Sequence, residues 1–179
     1  MRLILTTSLL LFFVATIHSQ NWSYERPVNP EDVSISRDQW GVPHVYGKTD
    51  ADAVYGLAWV QCEDNFAIVQ EPYLAFKGRL ARKTGKDGAV YDVIAKAVDV
   101  QGVVDSLYDQ SFSEEFKNLL TAYVQGVNDY ARSNPKQIRS KRIFPVTERD
   151  VIRGYYVANV ILSNTVFEIG KIFSRDIGK

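Results

Sequence analysis

Val33 to Phe66, VSISRDQWGVPHVYGKTDADAVYGLAWVQCEDNF, holds most of the structural and functional signal in this chain. Val33, Ile35 and Arg37 alternate with Ser34, Ser36 and Asp38, the period of a half-buried strand. Gly41 permits a turn and Pro43 fixes its own φ, so His44-Val45-Tyr46 reads as the returning strand of a hairpin. Thr49-Asp50-Ala51-Asp52 then fits a capping box, in which the threonine hydroxyl and the third-position carboxylate satisfy orphan N–H groups at a helix start. Val54, Leu57, Ala58 and Gln61 are expected on one face of that helix, and Phe66, Val69, Tyr73, Phe76 and Leu80 continue the helical spacing. Pro72 lacks an N–H and is expected to kink or restart the helix.

Working outward, Leu80 to Gly88 reads as a basic, turn-rich bend. It lacks the GxxxxGK[ST] spacing of a phosphate loop and is taken as a surface loop. Tyr91 to Tyr108 has mixed helical character, weakened at Gly102. Ser113 is a good N-cap for a strongly amphipathic helix carrying Phe116, Leu119, Leu120, Tyr123, Val124, Val127 and Tyr130, ended by Asn134-Pro135. Thr147-x-x-Asp150 repeats the capping pattern, and Val151, Tyr155, Ala158, Asn159 and Leu162 follow on one face. The fold class is α+β and mainly helical.

At the N-terminus Arg2 precedes an apolar run from Leu3 to Ile17, the plan of a secretory signal peptide over residues 1–19 cut between Ser19 and Gln20. The alternative, an uncleaved anchor, is disfavoured because the run falls short of the ~20 residues that span a bilayer. The expected location is therefore secreted or periplasmic, with no membrane partner after cleavage, and residues 20–179 form one unit without repeats or linkers. Lys+Arg and Asp+Glu each number 21. Such a balance offers no field for gathering nucleic acid. The basic run Lys136 to Arg142 reads as a solvated loop rather than an anion site. Cys62 stands alone, which rules out an intrachain disulfide, and its aliphatic neighbours suggest a small buried residue.

The residues argue against self-contained catalysis. His44 is the only histidine left after signal removal and reads as structural; one Cys and one His cannot make a zinc site. Asp38 reads as the partner of Arg37 in a structural ion pair, and Glu63 and Asp64, adjacent on a helix, are expected to diverge rather than act as a carboxylate pair.

Ile35-x-Arg37-Asp38-x-x-Gly41-Val42-Pro43-His44, then Tyr55-Gly56-Leu57-Ala58, Gln61-x-Glu63-Asp64-Asn65-Phe66 and Leu119-Leu120-x-x-Tyr123-x-x-Gly126-x-Asn128, resemble in order the α-chain region of the penicillin acylase family, acyl-homoserine-lactone acylases included. The resemblance implies the α-chain part of a four-layer αββα N-terminal-nucleophile hydrolase, cut from a longer precursor. The partner would be the β chain of that precursor, whose first residue, a serine, is the nucleophile; no catalytic residue is then expected in this chain. The substrate would be a small-molecule acyl amide. By the same resemblance the helix from Asp150 to about Glu168 lines the acyl pocket, making Asn159, Ile161 and Leu162 candidate substrate contacts, with ordinary core packing as the alternative for each. Glu168 aligns, across a one-residue gap, with a carboxylate given to a structural calcium ion shared with the β chain; a plain surface acid is the alternative. No organic cofactor is implied. A non-catalytic exported module on the same scaffold is the rival reading.

Overall fold

The computed structural model describes residues 22–163; the signal segment, Glu168 and the chain beyond Ser163 lie outside them. Among these residues the architecture is a two-stranded hairpin followed by six α-helices. The hairpin pairs β1 (Ser34–Arg37) with β2 (Pro43–Tyr46) antiparallel, Ile35 opposite Val45 and Ser36 opposite His44. Gly41 turns the chain at φ 80°. The helices are α1 (Asp50–Phe76), α2 (Ala81–Thr84), α3 (Lys86–Ala97), α4 (Val100–Ser111), α5 (Glu114–Ser133) and α6 (Glu148–Leu162).

Both predicted capping boxes form. Thr49 and Thr147 each accept from the third-residue N–H, and Asp52 and Asp150 accept in return from the cap N–H. The face of α1 differs from expectation: Leu57 and Gln61 are exposed, whereas Tyr55, Ala58, Cys62, Phe66, Gln70 and Tyr73 are buried. The periodicity of apolar residues alone misplaced the stripe, because Tyr55 and Gln70 bury polar tips that find partners inside. Pro72 does not restart the helix. The break lies at Asn65 (φ −158°, ψ 78°), whose carboxamide oxygen accepts from Ile68 N–H and so caps the second half of α1. Once Asn65 has opened the helix, Pro72 sits in an unbroken run.

The basic bend at 80–88 contains α2 and the first turns of α3, joined at Gly85 with φ 68°. Asp92 anchors it, accepting from Leu80 and Ala81 N–H, each at 3.0 Å. The segment 91–108 is two helices rather than one. Asp99 takes a left-handed φ of 44° and caps α4, and Gly102 lies directly under that carboxylate, its N–H donating to Oδ1 at 3.2 Å. Glycine there makes room for a cap rather than weakening a helix midpoint.

The core is the packing of α1 on α5. Ala58, Cys62, Phe66, Val124, Val127, Tyr130 and Ala131 form its centre, with Ile143, Phe144 and Val146 from the loop before α6. Burying side chains of this size stabilises the fold by about 1.5–3 kcal/mol each. The helices touch closely because Gly126 faces the Tyr55 carbonyl and Ala58. Three buried amides hold the irregular segments. Gln125 exchanges two bonds with the Val28 backbone (2.8 and 2.9 Å), and Asn128 does the same with Val146 (2.9 and 2.8 Å). Gln70 donates to Gln137 O at 3.1 Å and accepts from Arg139 N–H at 2.7 Å. Each amide presents a donor and an acceptor side by side, as a neighbouring strand would, so loop backbone stays buried without a sheet.

Candidate functional site

Helix α6 packs on this body along one side, with Val157 in its core. Asn128 fixes its start through Val146, and Asp150, almost fully buried, accepts from Lys77 and Arg153, both at 2.9 Å. Beyond that anchor only Val157 is buried. The face predicted to be an apolar stripe turns outward, with Tyr155 73% and Leu162 82% exposed.

Two open grooves flank the helix. One, about 530 Å³, runs between α6, the second half of α1 and the α2–α3 bend, with Ile68, Pro72, Tyr91, Val157 and Ile161 among its lining residues. The other, about 730 Å³, lies between α6 and the α4–α5 junction and is lined by Phe112, Phe116, Leu120, Tyr155 and Asn159 among others. The candidate contacts are thus divided. Asn159 faces the second groove, Ile161 the first, and Leu162 lines neither. Two residues are about 200° apart around an α-helix, so Asn159 and Ile161 could not share a wall. Sequence reasoning passed over Phe112 and Ile152 as lining residues; the Phe112-Phe116 spacing, whose tilted rings sit 5.2 Å apart, was the available signal. Glu168 lies outside the described residues, among which no cluster of three or more His, Cys, Asp or Glu side chains could hold a metal.

The hairpin motif has a mechanical role. Arg37 does not pair with Asp38. Its guanidinium spans Glu63 (2.7 Å), Asp64 (2.6 Å) and the Gly41 carbonyl (2.8 Å), so the two acids converge on one cation and pin the hairpin beside the Asn65 break. Glu63 first and Asp64 second push the Arg37 pKa up. Asp38 instead shapes the turn, accepting from Trp40 and Val42 N–H, each at 2.9 Å. Partial desolvation would raise its carboxyl pKa, but those N–H groups and His44, 3.5 Å away, together hold it below the usual range. His44 is a β2 residue whose side chain reaches back to the turn carboxylate of Asp38.

Tyr55 and Tyr24 both donate to Asp129, which also takes Gln125 and Arg26. Burial and the Asp129 carboxylate raise both phenols above their ordinary value, so they stay protonated donors. Cys62 is fully buried, and burial pushes its thiol up to about 12, which makes it inert at neutral pH. No residue described here combines a nucleophile with a base.

Comparison with known proteins agrees with this geometry. The family model for penicillin amidase matches residues 32–156. An acyl-homoserine lactone acylase, QuiP, of Pseudomonas fluorescens is 31% identical over 100 residues, 56% of this chain and 12% of the relative. The penicillin acylase 2 proenzyme of a Pseudomonas species is 30% identical over 101 residues, 56% of this chain and 13% of that protein. A thermostable penicillin G acylase from Alcaligenes faecalis superposes with a TM-score of 0.57 at 20% identity, covering 80% of both chains. This chain belongs to the penicillin amidase family. It spans about an eighth of the length of the curated relatives it matches. Among the described residues no helix is long and apolar enough to cross a membrane.

Proposed function

We propose that this chain is the α-chain part of a secreted or periplasmic amidohydrolase that cleaves the linear amide of N-acylated small molecules, of penicillin or acyl-homoserine-lactone type. The observation that carries this reading is the outward apolar face of α6. A helix held at one end by a buried salt-bridge network, with open grooves on both sides, is suited to being covered by a second chain. That second chain is the β chain of the same precursor, opening with the serine nucleophile. Its free α-amine, with an ordinary pKa of ~7.7–8.0, takes the serine proton without any histidine. This division of labour fits the lack of nucleophile–base pairs among the described residues.

Of the candidates Asn159, Ile161 and Leu162, only those on one side of α6 can face the acyl group, Ile161 in the first groove or Asn159 in the second, and the β chain completes that groove. Calcium takes ~6–8 oxygen ligands. Glu168 would supply one carboxylate and the β chain the rest. Residues 1–19 act as the export signal.

The test is expression of the whole reading frame, followed by mass spectrometry and an assay with a chromogenic N-acyl anilide. The expected result is two chains from one precursor and release of the aniline, abolished when the β-chain serine is replaced by alanine. A single unprocessed polypeptide without hydrolysis would favour a non-catalytic module on the same scaffold.

A further inference from the structure

Two basic stretches that read as separate surface loops in the sequence come together in the fold. Arg79, Arg82 and Lys83 from the α1–α2 bend face Ser140, Lys141 and Arg142 across a groove of about 300 Å³ floored by Leu74. The local structure explains the meeting. After α1 the chain reverses, Gly78 taking φ 61° and Arg79 N–H donating to Leu74 O at 2.8 Å, which folds the bend back onto the helix end. Opposite, Lys141–Ile143 forms one 3-10 turn whose buried Ile143 anchors it and leaves Lys141 and Arg142 exposed.

Five cationic side chains therefore surround one concavity, and among the described residues no carboxylate lines it. None of the five head groups is hydrogen-bonded or ion-paired to another described residue. The nearby cations behave differently: Lys77 and Arg153 are committed to Asp150, and Arg139 to Glu71. In a chain of balanced overall charge, five like charges gathered this way repel one another and gain only when an anion enters.

We propose that this groove binds a compact soluble anion bearing two or more phosphate groups. Its volume suits such a ligand, the arginines can grip phosphate oxygens in pairs, and the Ser140 hydroxyl offers a further donor. An extended nucleic acid is a poorer fit, because no aromatic ring lines the groove for base stacking. A membrane surface is a poorer fit too: the exposed aromatics Trp40, Tyr46, Tyr91, Phe116 and Tyr155 lie on other elements and none lines this groove. The site is independent of the amide-cleaving reading and of the α6 grooves.

Inorganic tripolyphosphate is the probe, titrated calorimetrically into the whole mature protein at fixed ionic strength. One binding event is expected, weakened by added salt as screening demands. The quadruple variant Arg82→Gln, Lys83→Gln, Lys141→Gln, Arg142→Gln should bind at least about tenfold more weakly, a loss of roughly 1.4 kcal/mol. Those four side chains are exposed, so a melting temperature equal to that of the parent serves as the folding control. Absence of binding, as when a partner chain already fills the groove, overturns the proposal. So does binding that the variant leaves unchanged, or adhesion to phosphatidylglycerol vesicles that tripolyphosphate fails to displace. Amide hydrolysis measured on the same samples separates the two readings, since its absence leaves the calorimetric result standing.

Discussion

The α1–α5 body and helix α6 use the same residue types to opposite ends. In the body, Asn128 is fully buried and both ends of its amide are bonded to Val146. On α6, Asn159 is exposed and donates only to the Tyr155 carbonyl of its own helix, at 2.8 Å. Gly126 lets α5 lie against α1, whereas Gly154 on α6 has nothing closer than Pro72 Cβ at 3.4 Å. The body is closed around its own core; α6 packs on it through Val157, Val151, Tyr156 and Ile161 and leaves Tyr155, Ala158, Asn159 and Leu162 exposed on its other side. The first is closed by its own residues, and the second shows an exposed apolar side. Equivalent substitutions should therefore cost more in the first than in the second.

The sharpest way to break this contrast is Asn128→Ala. It orphans the Val146 N–H and C=O, both within a residue only 1% exposed, and opens a small void. Unsatisfied buried backbone groups cost about 1–3 kcal/mol each, so a loss of about 3–4 kcal/mol is expected in chemical denaturation of the mature protein. A cost under about 1 kcal/mol would mean that water or a shifted loop satisfies Val146, and that the body is less closed than it looks.

How much of this was legible in the sequence follows from the range of each interaction. The hairpin, both capping boxes and helix α5 were readable because turns, caps and amphipathic stripes are written within a few neighbouring residues. Tyr55-Gly56-Leu57-Ala58 and Gly126-x-Asn128 could be matched to a family, but not explained. Their reasons lie across the core, where Gly126 meets the Tyr55 carbonyl and Asn128 clamps a loop 18 residues on. The Asn65 break was missed because its cap, Asn65 Oδ1 accepting from Ile68 N–H, is a single local bond inside an apolar-spaced run, and Pro72 drew the reading instead. Likewise 80–88 and 136–142 each looked like solvated loops; only the reversal at Gly78 brings their charges face to face. The candidate site was legible as a helix and not as a pocket. Helical spacing identifies faces, but it does not say which neighbouring surface packs on each one.

The matched glycines give the finer test, with effects of opposite sign. A Cβ on Gly126 would stand 2.5 Å from the Tyr55 carbonyl oxygen and 2.8 Å from Ala58 Cβ. The first of these is backbone of a helix locked by the core, so it cannot swing away as a flexible side chain would. Gly126→Ala must push α1 and α5 apart, and a loss of about 2 kcal/mol is expected despite the better helix propensity of alanine. On α6, Gly154→Ala places its methyl 3.4 Å from Pro72 Cβ and 3.9 Å from Phe76 Cε1, ordinary packing distances, at the rim of the first groove. Nothing has to move. The helix sheds the entropy cost of glycine, and a gain of about 0.5–1 kcal/mol is expected in the same denaturation experiment. Destabilisation by Gly154→Ala would show that α6 already packs as tightly as α5, which would remove the contrast on which the covered-helix reading is built.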